Sequence, residues 1–319
     1  MSFDIKPIPD LLPEIKESAS SKKLAIFVGA GISRFIGCTS WWALAENLTK
    51  KCEKEGLINH SEQQMLAKNP DMKKVITICN HLLGNDDRFM KEMKKSLNDY
   101  TVDKYISKSL TPNENEEYEK KLQIYKDLFS LNALFVTTNA DRHVDLMFNN
   151  SNIIYKKENF KLPTKDERQI EPNKLYKIHG SIVDKDSLVF TVDQYLDRYI
   201  DTDFNKFLES LFANYYVLFV GYGLSEFELL DYLFKSTKGN QKKHFFLKDY
   251  FSYEKKLYEF EQMYFQKLGI TLIPYEKDQI GFEQLRYILN DWADKIKIET
   301  TILDNVFDEI DEALGNPDE

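Results

Sequence analysis

Four short polar clusters carry side chains able to do chemistry, and each follows directly on an apolar run. Gly29-Ala30-Gly31-Ile32-Ser33 follows LAIFV, and Thr137-Thr138-Asn139-Ala140-Asp141 follows ALFV. His179-Gly180-Ser181 follows KLYKI, and Gly221-Tyr222-Gly223-Leu224-Ser225 follows YYVLFV. Glycines at 29 and 31 let a backbone turn tightly and approach a phosphate. Asn139 donates and accepts hydrogen bonds without bringing a charge. Asp141 adds negative potential, and a histidine with a near-neutral pKa can take up a proton. Each residue also has a plainer role open to it. The glycines suit simple strand-to-helix punctuation, Asn139 and Asp141 suit a helix cap, and His179 suits a satisfied structural position. No Gly-Lys-Ser/Thr follows the first turn, which excludes a P-loop, and no third glycine completes the dehydrogenase fingerprint.

The elements that must position these clusters are short, unalternating and rich in branched and aromatic residues: 24–31, 133–141, 174–181, 215–223, 244–249 and 270–275. Such runs suit strands buried on both faces. Helical spacing appears at Phe204, Phe207, Leu208, Leu211 and Phe212 before the fourth run, and at Phe227, Leu229, Leu230, Leu233 and Phe234 after it. The alternation predicts an α/β, Rossmann-like fold with a mostly parallel sheet and helices on both faces. In that architecture ligands sit beyond the carboxyl ends of the strands, where all four polar clusters fall.

Residues 42–130 hold no convincing strand and break into helix-like pieces over 42–56, 61–68, 72–84, 86–98 and 115–131, read as a helical insert. The polar stretch 156–173 reads as a mobile loop. Residues 304–319 carry seven acids and no base, with Val306, Phe307, Ile310 and Leu314 at helical spacing. They suggest two units: a domain over 1–300 and an acidic amphipathic helix over 301–319 that packs on its own domain or meets a regulatory region.

With 319 residues, 42% hydrophobic content, 22 Phe and 18 Tyr, the chain can bury one large core or two smaller ones. A net charge of -9 with scattered basic residues argues against general nucleic-acid binding. No apolar run reaches the length of a membrane span, and residues 1–18 lack the pattern of a secretory leader, so the expected location is cytoplasmic without membrane attachment. Cys38, Cys52 and Cys79 are odd in number and widely spaced, and His60 and His81 lack paired ligands, so no metal site is expected.

The order FVGAGIS, VTTNADRHVD, KIHGS, VLFVGYGLSE resembles the sirtuin superfamily, and more closely the sirtuin-like domains of bacterial antiphage defence proteins that consume NAD. The resemblance spans roughly 20–290. It implies that Gly29, Ala30, Gly31 and Ser33 line the phosphate and ribose side of NAD, with Thr138 and Gly180 beside them. Asn139 and Asp141 would face the nicotinamide ribose and its leaving group, and His179 would be the general base or a ribose-hydroxyl partner. Gly221, Tyr222 and Ser225 would close over the adenosine half, and Trp41 or Trp42 would wall the pocket. The paired cysteines of the sirtuin zinc module are missing, so the helical insert stands in its place and a zinc-supported peptide groove is not expected. Ala140 also departs from the larger residue usual between Asn139 and Asp141, which loosens the packing expected there.

The activity so implied is hydrolysis of NAD to nicotinamide and ADP-ribose, with NAD as substrate, no metal, and NAD depletion as an antiphage effector function. A homo-oligomer controlled by a regulatory region or a phage-derived activator is expected with it. Two other activities remain open: an NAD-dependent deacylase or ADP-ribosyltransferase, and a non-catalytic sensor of NAD or ADP-ribose. Cleavage of the nicotinamide–ribose bond builds positive charge on the sugar, as in other glycosyl transfers, which suits a neutral anchor, a nearby carboxylate and a base.

Overall fold

The computed structural model describes residues 5–84, 87–162, 170–171, 173–223, 227–237 and 244–297. Seven strands form one sheet: β1 (Leu24–Val28), β2 (Leu134–Thr137), β3 (Ile153–Ile154), β4 (Leu175–Lys177), β5 (Tyr216–Val220), β6 (His244–Tyr250) and β7 (Ile270–Glu276). The spatial order is β3-β4-β2-β1-β5-β6-β7 and every pairing is parallel. The expected α/β, Rossmann-like sheet is therefore present, and it is wholly rather than mostly parallel. From β1 the chain builds outward to β2 and β4, then returns to place β5 on the other flank. The crevice beyond the ends of β1 and β5 is thus the switch point where such sheets bind ligands.

Helices cover both faces because strand residues alternate between them. Leu24, Ile26 and Val28 of β1 pack with α1 (Pro13–Ser20), α8 (Pro112–Phe129) and a helix over 284–297, where Trp292 is fully buried. Ala25 and Phe27 pack on the opposite face, which carries α10 (Thr202–Asn214), α11 (Phe227–Thr237) and α12 (Lys255–Lys267).

Between β1 and α8 lie α2 (Ala30–Arg34), α3 (Trp41–Lys54), α4 (His60–Ala67), α5 (Met72–Leu83), α6 (Asp87–Ser96) and α7 (Asp99–Ile106). Leu48, Ile76, Phe89 and Met93 give these helices a core of their own. That core also takes in Ala140, Ile182 and Phe190, which follow β2 and β4. The helical segment is therefore seated on the strand-end rim. α8 belongs instead to the layer on the sheet, through Leu122, Tyr125 and Leu128.

The stretch expected as a mobile loop has two apolar anchors. Lys157–Phe160 forms a 3-10 turn whose Phe160 ring meets Phe204 and Phe207 edge-on at 5.3 Å, and Ile170 is buried in the same core. α9 (Val192–Tyr199) follows β4 and completes the rim. The expected amphipathic helix over 301–319 lies outside the described residues.

Candidate active site

α2 divides the strand-end region in two, and the spacing of its residues explains how. Positions three apart share a helix face. Ala30 and Ser33 line a pocket on one side, while Gly31 and Arg34 line a cleft on the other.

The turn ahead of α2 is held by the turn after β5. Gly29 N donates to Val220 O at 2.9 Å, and Gly31 N donates to Gly221 O at 2.8 Å. A Cβ on Gly29 would lie 2.4 Å from Gly221 O, and one on Gly31 would lie 2.7 Å from the same atom. Gly221 itself has a positive φ of 60°. These three glycines let two backbone turns touch.

The cleft has a volume of about 600 Å³, within the range of small-molecule sites. Gly31, Arg34, Gly221, Tyr222, Asp249 and Phe282 are among its walls. Its place beyond the carboxyl ends of β1, β5 and β6 is where sheets of this kind bind ligands.

The pocket on the other side measures about 30 Å³, which by the space a water needs is room for about two. Ser33, Asn139 and Asp141 line it, closed in by Trp41, Leu97 and Phe190. Asn139 Nδ2 donates to Gly29 O at 3.0 Å and to Ser33 Oγ at 2.9 Å. Ser33 Oγ donates to Asp141 Oδ2 at 2.6 Å and lies 3.1 Å from the Tyr125 hydroxyl. Asp141 Oδ1 accepts from His143 N at 3.1 Å. Under them, Thr137 Oγ1 ties β2 to β1 through Val28 O at 2.7 Å and accepts from Asn139 N at 2.9 Å. Thr138 lines the same pocket.

His179 stands beside this pocket without lining it. Asn139 and His179 each lie two residues beyond the paired positions Thr137 and Lys177 of neighbouring strands. The imidazole is buried, with Nε2 3.1 Å from the Tyr199 hydroxyl and Nδ1 3.5 Å from that of Tyr195. Burial, then the nearby Arg198 and Lys73 cations, hold its pKa well below the ordinary histidine value. It is neutral at pH 7 and chemically able to accept a proton. Gly180 after it has φ 80°, and a Cβ there would lie 2.0 Å from Ser187 O. Tyr222 is buried at the cleft wall against Phe27, and Ser225 lies outside the described residues. Trp41 walls the pocket, whereas Trp42 is exposed.

Several contributors were not anticipated. Lys177 is fully buried and donates to Asp141 O at 2.6 Å and Asp145 Oδ1 at 2.7 Å, holding the loop after β2. A lysine inside the run KLYKI was the available signal. Arg142 reaches Asp99 and Asp103 of α7 at 2.6 Å each, tying the helical segment to the rim.

Cys38, Asp141 and His143 place one ligand-type atom each within 4.8 Å of one another, a cluster the cysteine spacing did not disclose. Each atom already has a partner. His143 Nε2 faces Leu97 O at 3.2 Å and so carries the hydrogen, leaving Nδ1 to accept from Tyr118 OH at 2.7 Å. Cys38 Sγ donates to Leu97 O at 3.1 Å, and burial followed by Asp141 pushes its thiol pKa well up. A metal there would take one atom from each residue, in competition with the bond that atom now makes.

Residues 133–273 match the family model of the SIR2-like domain, so the chain carries a sirtuin-like domain. The matched span includes Asn139, Asp141, His179, Gly221 and Tyr222 and begins after the glycine turn. Domains of this family bind NAD, and the match points to an NAD-related function. No curated protein is matched by the chain at the sequence level. Among the described residues no helix is long and apolar enough to cross a membrane.

Proposed function

We propose that the chain hydrolyses NAD at the nicotinamide–ribose bond, releasing nicotinamide and ADP-ribose. The observation that carries this reading is the α2 divider. It places a cleft sized for the ADP half on one face, and Asn139 and Asp141, joined through Ser33, on the other. The nicotinamide riboside, and with it the C1′–N bond, then falls at the Asn139 side.

In this mechanism Asn139, already fixed to Gly29 O and Ser33 Oγ, is the uncharged anchor for the ribose or the attacking water. Asp141 contributes negative potential where the sugar becomes cationic. The water's oxygen joins C1′ as the C1′–N bond breaks, the bonding pair leaves with neutral nicotinamide, and the proton goes to the neutral His179. His179 is covered by Tyr195 and Tyr199, so taking up this proton requires those rings to give way. General-base catalysis of this kind lowers a barrier by about 3–5 kcal/mol.

The motif resemblance extends the reading to NAD depletion as an antiphage effector in the cytoplasm, by a homo-oligomer under a regulatory region or a phage-derived activator. Incubating purified protein with NAD, with and without an acyl-lysine peptide, tests the reaction. Nicotinamide and ADP-ribose independent of peptide are expected; peptide-dependent release would assign a deacylase, and intact NAD a sensor.

A further inference from the structure

Two amides of the glycine turn are already committed, which leaves most of the charge of a diphosphate to be met by other groups. Gly29 N and Gly31 N donate to the β5 turn, and α2 is only five residues long, too short to present a useful helix terminus. The cleft wall offers another group. Arg34 projects from α2 into the cleft with its guanidinium 5.3 Å from the centre of the Phe282 ring.

The other charged side chains lining the cleft have opposite charges at hand. Lys248 is held by Glu261 at 2.5 Å, Asp249 by Lys277, and Glu283 by Arg286 at 3.2 Å. Among the described residues lining the cleft, Arg34 is the cation without a carboxylate. A guanidinium held over an aromatic ring can still offer N–H groups for bidentate bonds to phosphate oxygens.

We propose that Arg34 is the side-chain anion contact for the diphosphate of a bound nucleotide, with Phe282 holding the guanidinium in place. The choice of a nucleoside diphosphate rests on the NAD reading above, while the contact is open to test without turnover.

The test is calorimetric titration of wild-type protein, Arg34→Gln and Arg34→Lys with ADP and with adenosine. Loss of a charged hydrogen bond predicts that Arg34→Gln weakens ADP binding roughly tenfold or more. Adenosine affinity and melting temperature stay at wild-type values, and Arg34→Lys recovers part of the loss. With NAD, KM rises by a similar factor while kcat is retained. Unchanged ADP affinity in Arg34→Gln overturns the proposal, as does equal loss of ADP and adenosine, or no ADP binding by the wild type. Arg34-dependent ADP binding without nicotinamide release would leave this contact standing and remove the hydrolase reading instead.

Discussion

The two sides of α2 are built to opposite specifications. The cleft over β5 and β6 is open, about 600 Å³, with charged side chains among its walls. The pocket over β2 is about 30 Å³ and lined by side chains that bond to one another. The first has room for a small-molecule ligand, whereas the second has room for about two waters. The contrast separates affinity from chemistry: substitutions in the cleft should move KM, and those in the pocket should move kcat. In the pocket a lost side chain also leaves a buried partner unsatisfied, which costs about 1–3 kcal/mol.

The largest effect should come from the pocket. Asn139→Ala and His179→Ala are each expected to reduce nicotinamide release by roughly 10²–10⁴-fold, with NAD affinity changed far less. Steady-state rates beside melting curves check this. If rate and melting temperature fall in proportion, the residues are structural and the contrast fails.

Gly180→Ala breaks the contrast from the scaffold, since its Cβ would lie 2.0 Å from a carbonyl at a positive φ. The variant should lose about 3 kcal/mol or more of stability, read from a urea midpoint, and activity with it. Arg142→Ala sharpens the comparison by cutting the tie to α7. It strands Asp99, whose side chain is 1% exposed, at an expected cost of roughly 3 kcal/mol. The melting temperature should fall while ADP binding in the cleft of the folded protein persists.

The smallest expected effect is on pH. Burial holds the pKa of both His143 and His179 below the ordinary 6.5. Their neutral forms stabilise the fold fully above about pH 6.5, and that contribution is lost as pH falls below it, because the unfolded chain binds protons the buried rings refuse. Urea midpoints should therefore drop between pH 7 and pH 5, less so in His179→Gln. The acid limb of kcat/KM should lie below pH 6.5 for the same reason.

Legibility followed locality. The six apolar runs matched strands because a strand buried on both faces needs no partner to announce itself. β3 escaped notice because Ile153–Ile154 is too short to show any period. α7 did too, since it starts after Asn98 in a left-handed conformation and exposes Tyr100 and Ile106. Phe160 stood out little among charged neighbours, yet it anchors its stretch. At the site, Ser33, Asn139 and Asp141 were visible as strand-end residues. Their partners Tyr125 and Lys177 were not, because those contacts depend on how α8 and β4 pack.

The measurement closest to the central claim is nicotinamide release from NAD by the wild type and by an Asn139→Ala variant shown to melt with the wild type. Steady release of nicotinamide and ADP-ribose by the wild type, with none from the variant at undiminished ADP binding, is the expected result. A folded Asn139→Ala protein that releases nicotinamide at the wild-type rate would contradict it.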